Sequence, residues 1–230
     1  MADKKIEKAL YGPSITEVIL GAILGFVVGV VGACVYLVFK PVTLVREMPK
    51  EPARGMIYYL PGAESNAKSR TWQAKHKQFL AGASVQVVED ELNAWGATLK
   101  VQDVGGGTPK AGAPEPAKAP EGIFIPGKPN FRIVDGKIQV GLKCTLNWYG
   151  VMKDVTVQAT GVIVRSGERF VFKPETVYLG SCPLHLLPAV PGWLVNHLTD
   201  REKIPDDVRA AWAKLSDVAI EGGALKLSVQ

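Results

Sequence analysis

Histidine and cysteine are scarce in this chain, three of each among 230 residues. A metal centre needs such side chains at ligand spacing, and His76, His185 and His197 have no second His, Cys or carboxylate so placed. The chain also lacks a phosphate-binding loop. Gly105-Gly106-Gly107 is without the strand–loop–helix setting that makes such glycines cradle a phosphate. No nucleophile elbow occurs, and His197 with Asp200 fits a helix C-terminus better than a catalytic pair. The expectation is a protein that is not an enzyme and takes no metal or cofactor. A surplus of one charge is missing too. Lys and Arg number 27 against 22 Asp and Glu, a net charge of +5. From Phe131 onward the balance is 12 basic to 10 acidic residues. That is no electrostatic footprint for nucleic acid.

What the chain does have is one long apolar run, Ile15 to Phe39, with the single charge Glu17 in its first turn. About 20 apolar residues in a helix cross a bilayer core, so this run spans one with some tilt. Ser14 and Glu17 have the spacing of a capping box, and Lys40-Pro41 closes the far end. The preferred reading is a retained single-pass transmembrane helix over 15–39. It follows a short basic tail (1–14) and precedes a juxtamembrane linker (40–55). Two alternatives remain open. A cleaved signal peptide normally has a shorter apolar region. Val31-Gly32-Ala33-Cys34 resembles a lipobox, although the residues after Cys34 stay apolar. Basic residues flank both ends, Lys4, Lys5 and Lys8 before, Lys40, Arg46, Lys50 and Arg54 after. The positive-inside rule is nearly tied. The short N-terminal tail favours a cytoplasmic N-terminus and a domain on the outer, periplasmic or extracellular, side of the cell membrane. Gly21, Gly25, Gly29 and Gly32 form a small-residue stripe along which a second helix, from another copy or another protein, can approach.

The remainder, 56–230, reads as one α+β domain. A Gly/Pro/Ala-rich insertion at about 105–129 cannot build a core. Lys68 to Lys77 is locally basic, with Trp72, His76, Phe79 and Leu80 on one helical stripe. It is either a core-packed helix or one resting on lipid headgroups. Val85–Val88 reads as a strand and Glu89–Trp95 as a helix that Gly96 caps. Ile138, Val140, Leu142, Cys144, Leu146 and Trp148 alternate with polar residues, a strand with one buried face. Asp135-Gly136 hairpins it to Phe131–Val134. Strands follow at about Val155–Val164 and at Arg169–Leu179, the latter bent at Pro174. Helices are expected over Pro191–Leu198 and Pro205–Leu215, then a hairpin of Val218–Glu221 and Ala224–Val229. The fold class is thus a single N-terminal transmembrane helix followed by a curled antiparallel β-meander packed on helices. If the domain is exported, a Cys144–Cys182 bridge becomes possible.

Three segments carry a resemblance. Glu89-Asp90-Glu91-Leu92-Asn93-Ala94-Trp95 is similar to a T-E-x-E-L-N-x-L helix start. An alternating strand follows Asp135-Gly136-Lys137, and Leu179-Gly180-Ser181-Cys182-Pro183-Leu184 is similar to an L-G-x-L-P-L-P segment. Over about 85–229 the chain resembles YpmS-like membrane-anchored bacterial proteins and the wider tubular lipid-binding superfamily. Val88 stands where a Thr cap is usual, Cys182 replaces an apolar residue, and the insertion is extra. The resemblance implies an apolar groove and a role in lipid handling at the cell envelope. Strand alternation and helical spacing place that groove on Leu142, Cys144, Leu146, Trp148, Val157, Leu187, Trp193, Leu194 and Leu198. Leu146→Trp or Leu194→Trp is then expected to lower lipid occupancy without unfolding. The alternative is an accessory subunit with no ligand, docked on a partner membrane protein through its glycine stripe and its domain.

Overall fold

The computed structural model describes residues 12–63, 68–99, 124–148, 151–187, 192 and 206–229. The first element, α1 (Ile15–Phe39), starts where the capping box sets it. Ser14 Oγ accepts from the Glu17 amide and Glu17 Oε2 accepts from the Ser14 amide, both at 3.3 Å. Among the described residues α1 is the one helix long and apolar enough to cross a bilayer. From Ile15 to Ala33 every residue is exposed. Then Cys34, Leu37 and Val38, spaced for one helical face, pack against the domain.

The segment after α1 is structured. Strand β1 (Thr43–Leu44) runs parallel to β2 (Tyr58–Tyr59). Helix α2 (Lys68–Leu80) buries Trp72 and Phe79, so the stripe read from sequence faces the core. Strand β3 (Val85–Val88) leads into α3 (Glu89–Thr98). Gly96 lies inside α3 rather than capping it. A Cβ there would meet the Pro129 carbonyl oxygen at 2.8 Å, so the residue permits close approach of helix to strand.

Strands β4 (Phe124–Val134), β5 (Lys137–Trp148), β6 (Val151–Ser166), β7 (Arg169–Leu179) and β8 (Cys182–Pro183) form an antiparallel sheet in chain order. The β4–β5 turn is the Asp135-Gly136 pair, with φ of 51° and 70°, as a two-residue hairpin of this composition requires. Strand β4 starts inside the stretch read as insertion. It tolerates Pro126 and Pro129 because it is an edge strand with a bulge between them. In β6 and β7 the register shifts between Thr160 and Gly161, opposite Pro174. The sheet is open at β4 and β8 and is not strongly curled.

Helix α4 (Asp206–Trp212) is shorter than the pattern suggested and starts one residue after Pro205. Strands β9 (Leu215–Glu221) and β10 (Ala224–Val229) form the expected hairpin. Strand β10 also pairs with β3, giving a second, three-stranded sheet in the order β3-β10-β9. The expected helix over Pro191–Leu198 lies outside the described residues, Gly192 apart.

Edge strand β4 would present unpaired amides and carbonyls to whatever lies beside it. Side chains of α3 satisfy them. Asn93 Oδ1 accepts from the Phe131 amide at 2.6 Å, and Asn93 Nδ2 donates to the Phe131 and Ala63 carbonyls at 2.9 and 2.8 Å. Glu89 accepts from the Ile133 and Ala63 amides. Buried Glu91, 2% exposed, accepts from the Val88 amide at 3.0 Å and pairs with Lys75 at 2.7 Å. The acidic cluster at the start of α3 therefore ties helix, strand and loop together.

Candidate functional site

Two apolar clusters lie along the same face of the large sheet. The alternating residues of β5 run through both. Ile138 and Val140 belong to the first, Leu142 and Cys144 to the second. Phe172 of β7 packs against each.

The first cluster lines a partly open cavity of about 310 Å³. Its walls come from both sheets and three helices. Trp72, His76 and Phe79 stand on α2, Leu92 and Trp95 on α3, and Val208, Arg209 and Trp212 on α4. The strands add Val85, Val87, Phe131, Ile138, Val140, Ile163, Phe172, Leu225 and Leu227. Three of the chain's five tryptophans line it. Their rings are held in a run. Trp72 stacks on His76 with centroids 5.1 Å apart, Trp95 lies 6.1 Å from Trp72, and Phe131 lies 5.9 Å from Trp95. The Trp212 indole donates to the Phe170 carbonyl at 2.9 Å, which leaves the ring face for the cavity wall.

Polar groups at this cavity are few. His76 Nε2 is buried and has no hydrogen-bond partner among the described residues. A buried polar atom left unpaired costs about 1–3 kcal/mol. Arg209 is exposed at the rim and pairs with Asp206 at 3.3 Å. The arrangement offers dispersion and hydrophobic contact, with one hydrogen-bonding atom inside and one cation at the edge. Among the described residues it brings together no nucleophile and base. Among the described residues no group of three His, Cys, Asp or Glu could hold a metal.

The second cluster holds several of the residues assigned to a groove from sequence. Leu142, Cys144 and Val157 are buried there with Ala159, Val177, Cys182 and Leu184, and Leu187 packs against them. Leu146 is half-buried further along β5, and Trp148 ends that strand. Trp193, Leu194 and Leu198 lie outside the described residues. None of the described residues assigned to the groove lines the cavity. Instead, the end of α1 covers the second cluster through Cys34, Leu37 and Val38. The contact is polar at its rim. The Ser181 amide donates to the Leu37 carbonyl at 2.9 Å and Ser181 Oγ to the Lys40 carbonyl at 3.2 Å. Lys153 Nζ lies 5.7 Å from the centre of the Phe39 ring. Gly180, with φ of 58°, makes this fit possible, since a Cβ there would collide with the Val38 carbonyl oxygen.

Cys144 and Cys182 are each only 1% exposed. Burial, and then a hydrogen bond with Cys34, push the Cys182 thiol up from about 9.0 to about 11. The folded chain thus holds that proton more tightly than the unfolded chain. This contribution to stability is complete below the ordinary thiol value and is lost as pH rises from about 9 to about 11. In thermal melts of the reduced protein, that part of the alkaline decline should vanish in Cys182→Ala. An unchanged slope in the variant would show that other groups cause it.

Comparison with protein-family models, curated proteins and solved structures finds no match. The reading of this site therefore rests on its geometry. The stripe Trp72, His76, Phe79 is legible in the sequence, but no short-range signal shows that it shares a cavity with Leu225 and Leu227 of β10. That arrangement joins residues at opposite ends of the domain.

The glycine stripe Gly21, Gly25, Gly29 and Gly32 has no neighbouring atoms within 4 Å of where a Cβ would stand. Among the described residues nothing covers that face of α1.

Proposed function

We propose that this protein is a membrane-tethered, non-enzymatic domain that holds a single apolar chain of a lipid in the cavity between its two sheets. The observation that carries the reading is the wall of that cavity, which is almost wholly aromatic and aliphatic carbon. Its 310 Å³ falls at the lower end of small-ligand pockets, about 300–1,000 Å³. An apolar cavity of about 150 Å³ accommodates benzene, so twice that volume suits one medium-length chain rather than two long ones. Each methylene buried there contributes about 0.8 kcal/mol. This reading keeps the lipid-handling role that the YpmS-like resemblance implies and moves it along the sheet. A modest curl of the large sheet toward α2 and α3 belongs to the same reading.

Retention of α1 as an anchor is part of the proposal. Its last turns are packed into the second cluster, so removing them would expose buried Cys182 and Leu184. The stretch Ile15–Ala33 measures about 28 Å at 1.5 Å per residue, close to the roughly 30 Å of a bilayer core. The domain then lies at the membrane surface, on the outer side if the short basic tail stays in the cytoplasm.

The test is extraction of lipid from the full chain held in nanodiscs whose own lipids are isotope-labelled, read by mass spectrometry. One single-chain lipid per protein is expected. Val140→Trp, which fills the cavity, should lose most of it, whereas Leu146→Trp in the other part of the sheet should keep it. Equal occupancy in the two variants would show that the ligand binds elsewhere. An empty cavity together with a copurifying membrane protein at fixed stoichiometry would move the reading to an accessory subunit.

A further inference from the structure

The chain has only three cysteines, and the fold gathers all three at one place. One comes from the apolar helix, one from the middle of β5 and one from the short strand β8. Sequence alone put Cys34 in a lipobox-like setting and suggested Cys144 as the partner of Cys182. The structure brings Cys34 to the same cluster. Cys34 packs against the cluster that buries Cys182, and the Cys144 thiol is directed to the Leu142 carbonyl at 3.9 Å. Backbone bonds hold the two partners in place from both sides. Ser181, next to Cys182, donates to Leu37, one turn beyond Cys34. Cys182 itself is fixed in the ladder opposite Leu179.

The geometry points to a Cys34–Cys182 disulfide that joins the anchor helix covalently to the sheet. The oxidant is a second disulfide, of a small thiol or of an oxidoreductase. One thiolate attacks it and expels a thiol, and the other thiolate then attacks the mixed disulfide and expels the second thiol. Two cysteine thiols and one external disulfide become one internal disulfide and two external thiols. Attack needs the thiolate. Cys34 is half-buried and Cys182 fully buried, so the mixed disulfide forms at Cys34 and Cys182 resolves it. Closure therefore speeds up as pH rises.

The experiment uses the full reduced chain in nanodiscs, exposed to oxidised glutathione, then alkylated, digested and read by mass spectrometry. The expected result is a linked peptide pair carrying Cys34 and Cys182, with Cys144 alkylated. Cys144→Ser should still form the bridge, and its melting temperature should rise on oxidation. Cys34→Ser should form none and melt at one temperature in both conditions. Three alkylated cysteines, a bridge to Cys144, or a bridge between two chains through Cys34 would each overturn the assignment. Folding does not confuse the outcome, because every variant is compared with itself reduced and oxidised.

Discussion

Asn93→Ala melts roughly 10 °C below the parent chain. Asn93 is 5% exposed and makes three hydrogen bonds to backbone, two of them to Phe131 on the edge of the large sheet. Truncation leaves the Phe131 amide and carbonyl and the Ala63 carbonyl beneath α3 without partners. Each buried group left unpaired costs about 1–3 kcal/mol, and some will recruit water, so a total of about 3 kcal/mol is expected. For a domain of this size each kcal/mol lowers the melting temperature by about 2–4 °C. Asn93→Asp separates the parts of the effect. It keeps an acceptor for the Phe131 amide but sets a carboxylate against two carbonyl oxygens, and it should melt at least as low. Differential scanning fluorimetry of the full chain is sufficient. A shift within about 2 °C for both variants would mean that water already fills the role assigned to this side chain.

Gly180→Val lifts the end of α1 off the domain. The position has φ of 58°, where a side chain costs about 1–2 kcal/mol. A Cβ would also press on the Val38 carbonyl oxygen, which is backbone and cannot swing aside. The strain is relieved by parting the helix from the β7–β8 turn. Cys34 then becomes easier to reach, and its modification by a maleimide should accelerate about tenfold, the factor that corresponds to 1.4 kcal/mol. The Asn93 network lies at the other end of the sheet and should be untouched. An unchanged labelling rate would show that the helix end is not held where Gly180 meets it.

Local chemistry explains which parts of this fold are legible in the sequence. Asp135-Gly136, the alternation along β5 and the Ser14–Glu17 box each depend on a few neighbouring residues, and each lies where its pattern places it. The sheets are harder to read because β3 and β10 pair across most of the domain, and no short-range pattern encodes such a partnership. Gly96 misleads for a physical reason. A glycine serves equally as a helix terminator and as a point of close approach, and only the neighbouring Pro129 decides between them. Leu37 and Val38 mislead in another way. An apolar side chain suits lipid and protein interior alike, so a long run in sequence cannot show where the membrane ends and the domain begins. For the same reason the sequence of β5 shows a half-apolar strand but not that its apolar face divides between a cavity at Val140 and a helix-covered cluster at Cys144.

The docking of α1 on the sheet has a consequence for geometry around the helix axis. At 100° per residue, Cys34, Leu37 and Val38 point on average about 180° away from Gly21, Gly25, Gly29 and Gly32. The domain hangs from one side of the helix and the glycines mark the other. A hinge between helix and domain would erase that compass bearing, but the backbone bond from Ser181 to Leu37 preserves it. Two such helices meeting back to back along their glycines would therefore carry their domains outward, on opposite flanks, with both cavities clear of the contact.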